Sequence, residues 1–506
     1  MTPGDGSSAP RDAGSTSASS SSELDVDDVD AMTGEGFERL KRRVGLPLGP
    51  ALAALVWALA ASGPAPALPA IMTLAVTWWL TEALPAAAVA LLIAVSAILT
   101  GLATPQVAFG AFGRPQLFLF VGSFFIAEGV RLHGLGERLA TAMTRVASTQ
   151  LALLLSIGVT AFFLSMVMSN SSSTAILLPI ALAAARGTPR RFQAALVLMV
   201  AWAASVGGLG TPVGTPPNLF GMAALRQHGV NLGFAQWMSF GVPIGAVMMV
   251  ALALVLSVLH RVGRGQTLPV PPSQGAARPW TRGEVSVVVA IAAALVGWLA
   301  PSALDAVAPG SSTAAWVDKH VTEELVAVVA GCLLFILPAG TREARRPALL
   351  WAEATQIEWG VILLFGGGIL MGDLAKTTGI SASWGKALVE LTSADSTWTI
   401  MALCTGVSIV LSELTSNTAT ATLMTPLAAE LAIAAGAAPI PCVLGATLGA
   451  SFGFMMPIST APNALAYASG KVRMAQMIRG GAVFDVLGFV IILVGLRVLC
   501  PLAGWW

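Results

Sequence analysis

Charge is scarce in this chain. Of its 506 residues, 10% are Asp, Glu, Lys or Arg, where soluble domains carry about 25%. The net charge is +1, so there is no broad electrostatic field and no nucleic-acid partner is implied. Histidine is rarer still. There are four, with no HExxH, GxSxG or Walker pattern, so recognisable catalytic equipment is missing. The four cysteines, Cys332, Cys404, Cys442 and Cys500, lie in apolar segments without CxxC spacing and read as small buried residues. The N-terminal stretch lacks the apolar core of a signal peptide, so the first membrane helix is expected to be retained.

What the chain has instead is apolar surface. It is 56% hydrophobic, with mean hydropathy +0.79, which places most of it in a lipid bilayer. An all-α polytopic membrane protein is expected, because a helix satisfies its own backbone in lipid. Apolar spans near the ~20 residues needed to cross hydrocarbon lie at 46–62, 67–83, 86–101, 115–133, 238–260, 284–301, 322–338, 357–378 and 481–499. The arrangement predicts about eleven transmembrane helices plus two re-entrant hairpins.

The organising feature is a polar stretch that occurs twice. Ser165, Ser169, Asn170, Ser171 and Thr174 precede Pro179, and Ser412, Thr415, Ser416, Asn417, Thr418 and Thr420 precede Pro426. Ser416 lies 247 residues after Ser169, as Ser412 does after Ser165 and Pro426 after Pro179. A second loop follows each copy: Gly214-Thr215-Pro216-Pro217-Asn218 and Ser459-Thr460-Ala461-Pro462-Asn463, 245 residues apart. The spans at 115–133 and 357–378 also correspond, through Phe120/Phe365, Gly122/Gly367, Glu128/Asp373, Arg131/Lys376 and Gly134/Gly379. Glu128 and Asp373 each have a basic residue three positions on, within pairing reach on a helix. In a bilayer, irregular backbone is tolerated only where it is buried in protein or lines a cavity. Paired interruptions at matching positions of two halves point to a transporter binding site.

Basic clusters at 39–43, 131–145, 186–191, 261–282, 342–346 and 471–479 favour the cytoplasm. With these inside, 150–187 enters and returns on one side as a re-entrant hairpin. The alternative, a plain span at 150–168 followed by a loop, puts Arg186, Arg190 and Arg191 outside. The second hairpin, 396–433, then falls on the outer side, so the two halves form inverted repeats. The expected organisation is a disordered cytoplasmic tail at 1–44, scaffold helices and the first span of repeat 1 at 45–135, and the arm, hairpin and broken helix of repeat 1 at 136–260. A cytoplasmic linker at 261–283 follows. Scaffold spans of repeat 2 occupy 284–380, and the second arm (381–393), hairpin, broken helix and last span occupy 381–506. The N-terminus is placed in the cytoplasm and the C-terminus, with its interfacial Trp505 and Trp506, outside the cell (inner) membrane.

Hydroxyls, Asn carbonyls and free backbone carbonyls are hard ligands that suit Na⁺ rather than a soft metal. At a hairpin tip, the C-terminal end of one half-helix attracts a cation and the N-terminus of the next attracts an anion. No Lys or Arg lies in the four motifs. A bound divalent anion must therefore be neutralised by helix N-termini and cations, with sodium binding first and more than one Na⁺ per anion.

At these residues the chain resembles the divalent anion/sodium symporter family. The twin motifs, the Gly214–Asn218 loop, Trp78-Trp79 with Thr81, Glu82, Ala83 and Pro85, and Trp359-Gly360 with Phe365 and Gly368 carry the resemblance, over about 45–500. It implies a homodimer with a scaffold domain and a transport domain that work by an elevator motion. Carried over residue by residue, the first sodium site uses Ser165, Ser169, Asn170 and Gly214, and the second Ser412, Thr415, Asn417 and Ser459. The substrate carboxylates meet Asn170, Ser171 and Thr215 on one side and Asn417, Thr418 and Thr460 on the other. Ser171 stands where the family usually has Thr, which keeps the hydroxyl and loses a methyl. The resemblance implies co-transport of sodium with a dicarboxylate anion such as succinate, malate or fumarate, and no organic cofactor. Rival readings are a sodium-independent exchanger, a citrate or sulfate carrier, an arsenite or citrate-metal permease and a membrane enzyme.

Overall fold

The computed structural model describes residues 26–61, 65–145, 147–263, 265–268, 278–340, 346–380 and 396–505. Regular structure among them is helical, with strand pairing confined to two isolated bridges, Thr149–Thr267 and Pro338–Pro347. In chain order the helices are α1 (Val26–Leu59), α2 (Ala67–Leu80), α3 (Ala86–Leu99), α4 (Pro105–Gly110), α5 (Pro115–Leu132), α6 (Leu135–Arg145), α7 (Gln150–Ser165), α8 (Asn170–Ala184), α9 (Arg190–Gly208), α10 (Pro216–Gln227) and α11 (Phe234–Leu259). After the linker come α12 (Arg282–Val307), α13 (Ser312–His320), α14 (Glu323–Leu333), α15 (Trp351–Ala354), α16 (Trp359–Thr377), α17 (Thr397–Leu414), α18 (Asn417–Ala434), α19 (Pro439–Ala450), α20 (Ala461–Ala468) and α21 (Met474–Leu502).

Among the described residues, seven stretches are long and apolar enough to cross a membrane: Pro105–Leu132, Arg190–Gly208, Phe234–Leu259, Arg282–Val307, Trp359–Thr377, Thr397–Leu414 and Met474–Leu502. Shorter apolar helices include α2, α3, α7, α8 and α19. The 14 residues of α2 reach only about 21 Å at 1.5 Å per residue. Pro66 sits at one end and Glu82, in a left-handed conformation (φ 49°), just past the other.

Helix α1 begins inside the stretch expected to be disordered. Residues 1–25, the second arm at 381–393 and most of the basic segment after α14 lie outside the described residues. Lys41 and Arg42 of α1 pair with Glu82 at 3.4 and 3.5 Å, so the basic collar and the end of α2 share one side. Residues 170–184 form α8, which packs on α9.

Two sets of helices emerge from the packing. In one, α5 packs on α14 and α16 on α3. A Cβ on Gly122 would come within 2.2 Å of the Ala327 backbone, and one on Gly367 within 2.6 Å of Ala90 Cβ. The paired glycines therefore permit the same close crossing in each half, and each joins its own half to the other. In the other set, α7, α8, α9 and α11 pack together, as do α17, α18, α19 and α21. The second halves of the broken helices cross over: α10 packs on α18 and α19, and α20 on α8 and α9.

The arm α6 is pinned to the start of α12. Arg138 Nε donates to Glu284 at 3.0 Å and Arg278 to the same oxygen at 2.8 Å, while Thr281 and Glu284 form a capping box. Of the two carboxylates expected to pair within their own helix, Glu128 does so with Arg131. Asp373 does not: it pairs with Arg114 at 2.7 Å, and Lys376 Nζ donates to the Gln227 carbonyl at 2.7 Å. The end of α10 lies within reach of α16 and draws Lys376 away.

Candidate functional site

Each polar motif forms the junction between two helices. Helix α7 ends at Ser165 and Ser169 caps α8: its Oγ accepts from the Ser172 N–H at 3.2 Å and bonds Ser172 Oγ at 2.9 Å. Ser416 does the same for α18, accepting from the Ala419 N–H. This is ordinary N-capping. It leaves the free carbonyls of α7 or α17 on one side of the junction and the free N–H groups of α8 or α18 on the other.

The hydroxyl one turn earlier reaches the Asn that follows. Ser165 Oγ donates to Asn170 Oδ1 at 2.6 Å, and Ser412 Oγ lies 2.8 Å from both Asn417 Oδ1 and the Ala450 carbonyl. Ser165 and Ser412 are fully buried. The broken helices close over these pairs at a glycine. A Cβ on Gly208 would meet Asn170 Oδ1 at 2.5 Å, Thr215 Cβ at 3.1 Å and the Gly214 carbonyl at 3.2 Å. At Gly453, 245 residues on, it would meet Ser459 Cβ at 3.1 Å, Asn417 Oδ1 at 3.3 Å and the Ser412 carbonyl at 3.3 Å. Ser165, Asn170 and Gly214 are thus brought together in the first half, and Ser412, Asn417 and Ser459 in the second.

The remaining candidates are placed differently. Ser169 is engaged in the cap. Thr415 Oγ1 bonds the Leu411 carbonyl and Thr420 Oγ1, each at 2.9 Å. Ser171 and Thr418 stand in the first turns of α8 and α18, beside the free N–H groups. Thr215 and Thr460 are the N-cap residues of α10 and α20. Thr460 Oγ1 accepts from the Asn463 N–H, whereas the Thr215 side chain caps nothing.

The structure adds residues that the motif chemistry did not single out. Asn218 Nδ2 bonds the Gly208 and Thr211 carbonyls at 2.8 and 2.7 Å, and Asn463 Nδ2 bonds the Gly453 and Met456 carbonyls at 2.7 and 2.9 Å. These are the carbonyls that a helix break strands, so the terminal Asn of each Pro loop staples the break shut. The signal was present, since both Asn close a Pro-rich loop, but spacing alone does not separate a staple from a ligand. Glu413, 3% exposed, accepts from the Phe454 and Met455 N–H groups at 2.6 and 2.8 Å, and Ser459 Oγ lies 2.9 Å from both its carboxylate and its own carbonyl. In the first half, Met166 takes the corresponding place, and Thr211 Oγ1 donates to the Met166 carbonyl.

Two buried oxygen-lined junctions, each with a cation-favouring helix end and an anion-favouring helix start, can hold small cations and a carboxylate together. Residues 76–449 match a family model described as "Citrate transporter". The sodium-dependent dicarboxylate transporter SdcS of Staphylococcus aureus strain USA300 is 31% identical over 447 residues, covering 84% of this chain and 84% of its own length. The chain belongs to the divalent anion/sodium symporter family. It is a membrane transporter, not an enzyme. The SdcS protein of strain MRSA252 is also 31% identical over the same length. Among solved structures, the Alcanivorax borkumensis YdaH transporter matches with TM-score 0.57 and 14% identity, over 79% of this chain and 88% of its own. That likeness shows the fold this symporter-family chain shares with it.

Proposed function

We propose that the protein is a sodium-coupled symporter of C4-dicarboxylates such as succinate, malate or fumarate. The observation that carries this reading is the mirrored pair of Ser–Asn junctions, Ser165–Asn170 and Ser412–Asn417, each closed by a glycine of a broken helix and neither containing Lys or Arg. In this reading Ser165, Asn170 and Gly214 hold one sodium ion, with Ser169 contributing through its main chain. Ser412, Asn417 and Ser459 hold the other, with Thr415 beside them. Asn170, Ser171 and Thr215 meet one substrate carboxylate; Asn417, Thr418 and Thr460 meet the other.

With no basic side chain in the site, sodium must bind before the anion. A net charge carried across the bilayer costs about 2.3 kcal/mol per 100 mV, which favours more than one Na⁺ per dianion. The two hairpins are read as re-entrant and the halves as inverted repeats. The helices around the site then form a transport unit that moves as an elevator against the scaffold in a homodimer of the inner membrane, N-terminus inside and C-terminus outside. The family model described as a citrate transporter supports a second reading, in which the anion is a tricarboxylate.

The test is uptake of radiolabelled succinate by purified protein in liposomes under an inward Na⁺ gradient, and with K⁺ replacing Na⁺. Uptake that needs Na⁺ and rises more steeply than linearly with it is expected. Equal uptake in both, dependent on internal dicarboxylate, would make the protein an exchanger. Citrate uptake in place of succinate would select the second reading.

A further inference from the structure

Helix α21 carries a lone acid, Asp485, that the site described so far does not use. It is 6% exposed, and neither carboxylate oxygen has a hydrogen-bond partner. Its side chain lies against Glu413, the charged group that acts on it among the described residues. Independent packing places it there. A Cβ on Gly481 would come within 2.5 Å of the Phe454 backbone, and one on Gly488 within 2.0 Å of the Phe452 ring. Asp485 lies one turn from each, on the same helix face. That face runs along the unwound segment whose Phe454 and Met455 N–H groups bind Glu413. Neither acid joins an ion pair among the described residues.

Two carboxylates held together in a low-dielectric interior repel each other, and each loses its hydration. Glu413 recovers three hydrogen bonds; Asp485 recovers none. A small monovalent cation between them removes the repulsion, and both acids offer it hard oxygen ligands. The arrangement has no twin. Gly241 approaches the Leu209 carbonyl as Gly481 approaches Phe454. The first-half counterparts of Glu413 and Asp485 are therefore Met166 and Gly245, and neither bears a charge.

We propose that Glu413 and Asp485 form a third cation site, for sodium, present in the second half alone and adjoining the second Ser–Asn junction, whose Ser459 hydrogen-bonds Glu413. It rests on the sodium-coupled reading above. Occupied, it ties α21 to the unwound segment that also carries Ser459. A sodium ion there steadies the second junction without touching substrate.

The decisive measurement is the ratio of ²²Na⁺ to labelled succinate taken up by the wild-type protein in liposomes, with Asp485→Asn and Asp485→Glu beside it. The wild type should carry one more Na⁺ per substrate than the two junctions can hold. Asp485→Asn should lose that one and transport a less steeply sodium-dependent succinate flux, and Asp485→Glu should keep it. A wild-type ratio no higher than the two junctions supply overturns the proposal whether or not the variants fold. So does a ratio and sodium steepness unchanged in Asp485→Asn, or co-uptake of a proton with the substrate in place of the additional Na⁺. Absence of any sodium effect on wild-type uptake would instead overturn the symport reading itself.

Discussion

Trp202 Nε1 donates to Asn463 Oδ1 at 3.1 Å, so a helix of the first half holds the staple of the second half's broken helix. Both side chains are fully buried. The corresponding oxygen of the first half, Asn218 Oδ1, is buried without a partner. One staple is thus fixed by its neighbour and the other is not. Trp202→Phe should orphan Asn463 Oδ1 and cost about 1–3 kcal/mol. The readout is the melting temperature of the purified protein in detergent, and an unchanged melt would show that the bond contributes nothing.

Asn170→Ala and Asn417→Ala should each abolish succinate uptake with little loss of membrane expression. Each removes the Oδ1 that the preceding Ser meets. Normal transport in both variants would remove these residues from the site.

Thr215→Ala and Thr460→Ala should raise the substrate KM more than the sodium concentration for half-maximal uptake. The Thr215 hydroxyl caps no helix N–H, whereas Thr460 also caps α20. Thr460→Ala should therefore lower thermal stability as well, by about 1 kcal/mol, and Thr215→Ala should not.

The two cradle glycines should differ in tolerance. A methyl at Gly208 meets Asn170 Oδ1 at 2.5 Å, whereas at Gly453 the nearest atom is 3.1 Å away. Gly208→Ala should eliminate sodium-dependent uptake, and Gly453→Ala should weaken it. Dose curves of uptake against Na⁺ measure both, and equal effects would contradict the geometry.

Arg226 of α10 pairs with Glu323 at 3.1 Å and Glu324 at 2.6 Å, both at the start of α14. Removing one partner of a largely buried ion pair costs roughly 3–5 kcal/mol. Arg226→Gln should reduce transport and stability, and adding Glu323→Gln and Glu324→Gln should restore part of both. A triple variant worse than the single would show that the ion cluster is not the cause.

Much of the candidate site's geometry was legible because it is written twice. The 247- and 245-residue offsets located both Ser–Asn junctions and both breaks, and Gly-Pro chemistry marked the breaks as irregular. Burial was not legible. Nothing in the order of residues says that Asn218 and Asn463 turn back onto their own loop, or that Asp485, one acid in a long apolar helix, faces Glu413 from another element. Nor could periodicity show that Asp373 prefers Arg114, 259 residues away in sequence, to Lys376 one turn on. The helical start at Val26 was hidden by composition: a polar segment looks disordered until the apolar run that continues it is counted as the same helix.

The crosswise seating of α10 and α20 has a consequence for how the molecule is made. The faces of α8 and α9 that receive α20 stay uncovered during synthesis until residue 461 has entered the membrane, and α10 has no second-half bed until α18 and α19 exist. Neither half can complete its own interior. Cut within the linker at 261–283, the two pieces should persist only when produced together, each serving as the other's missing core.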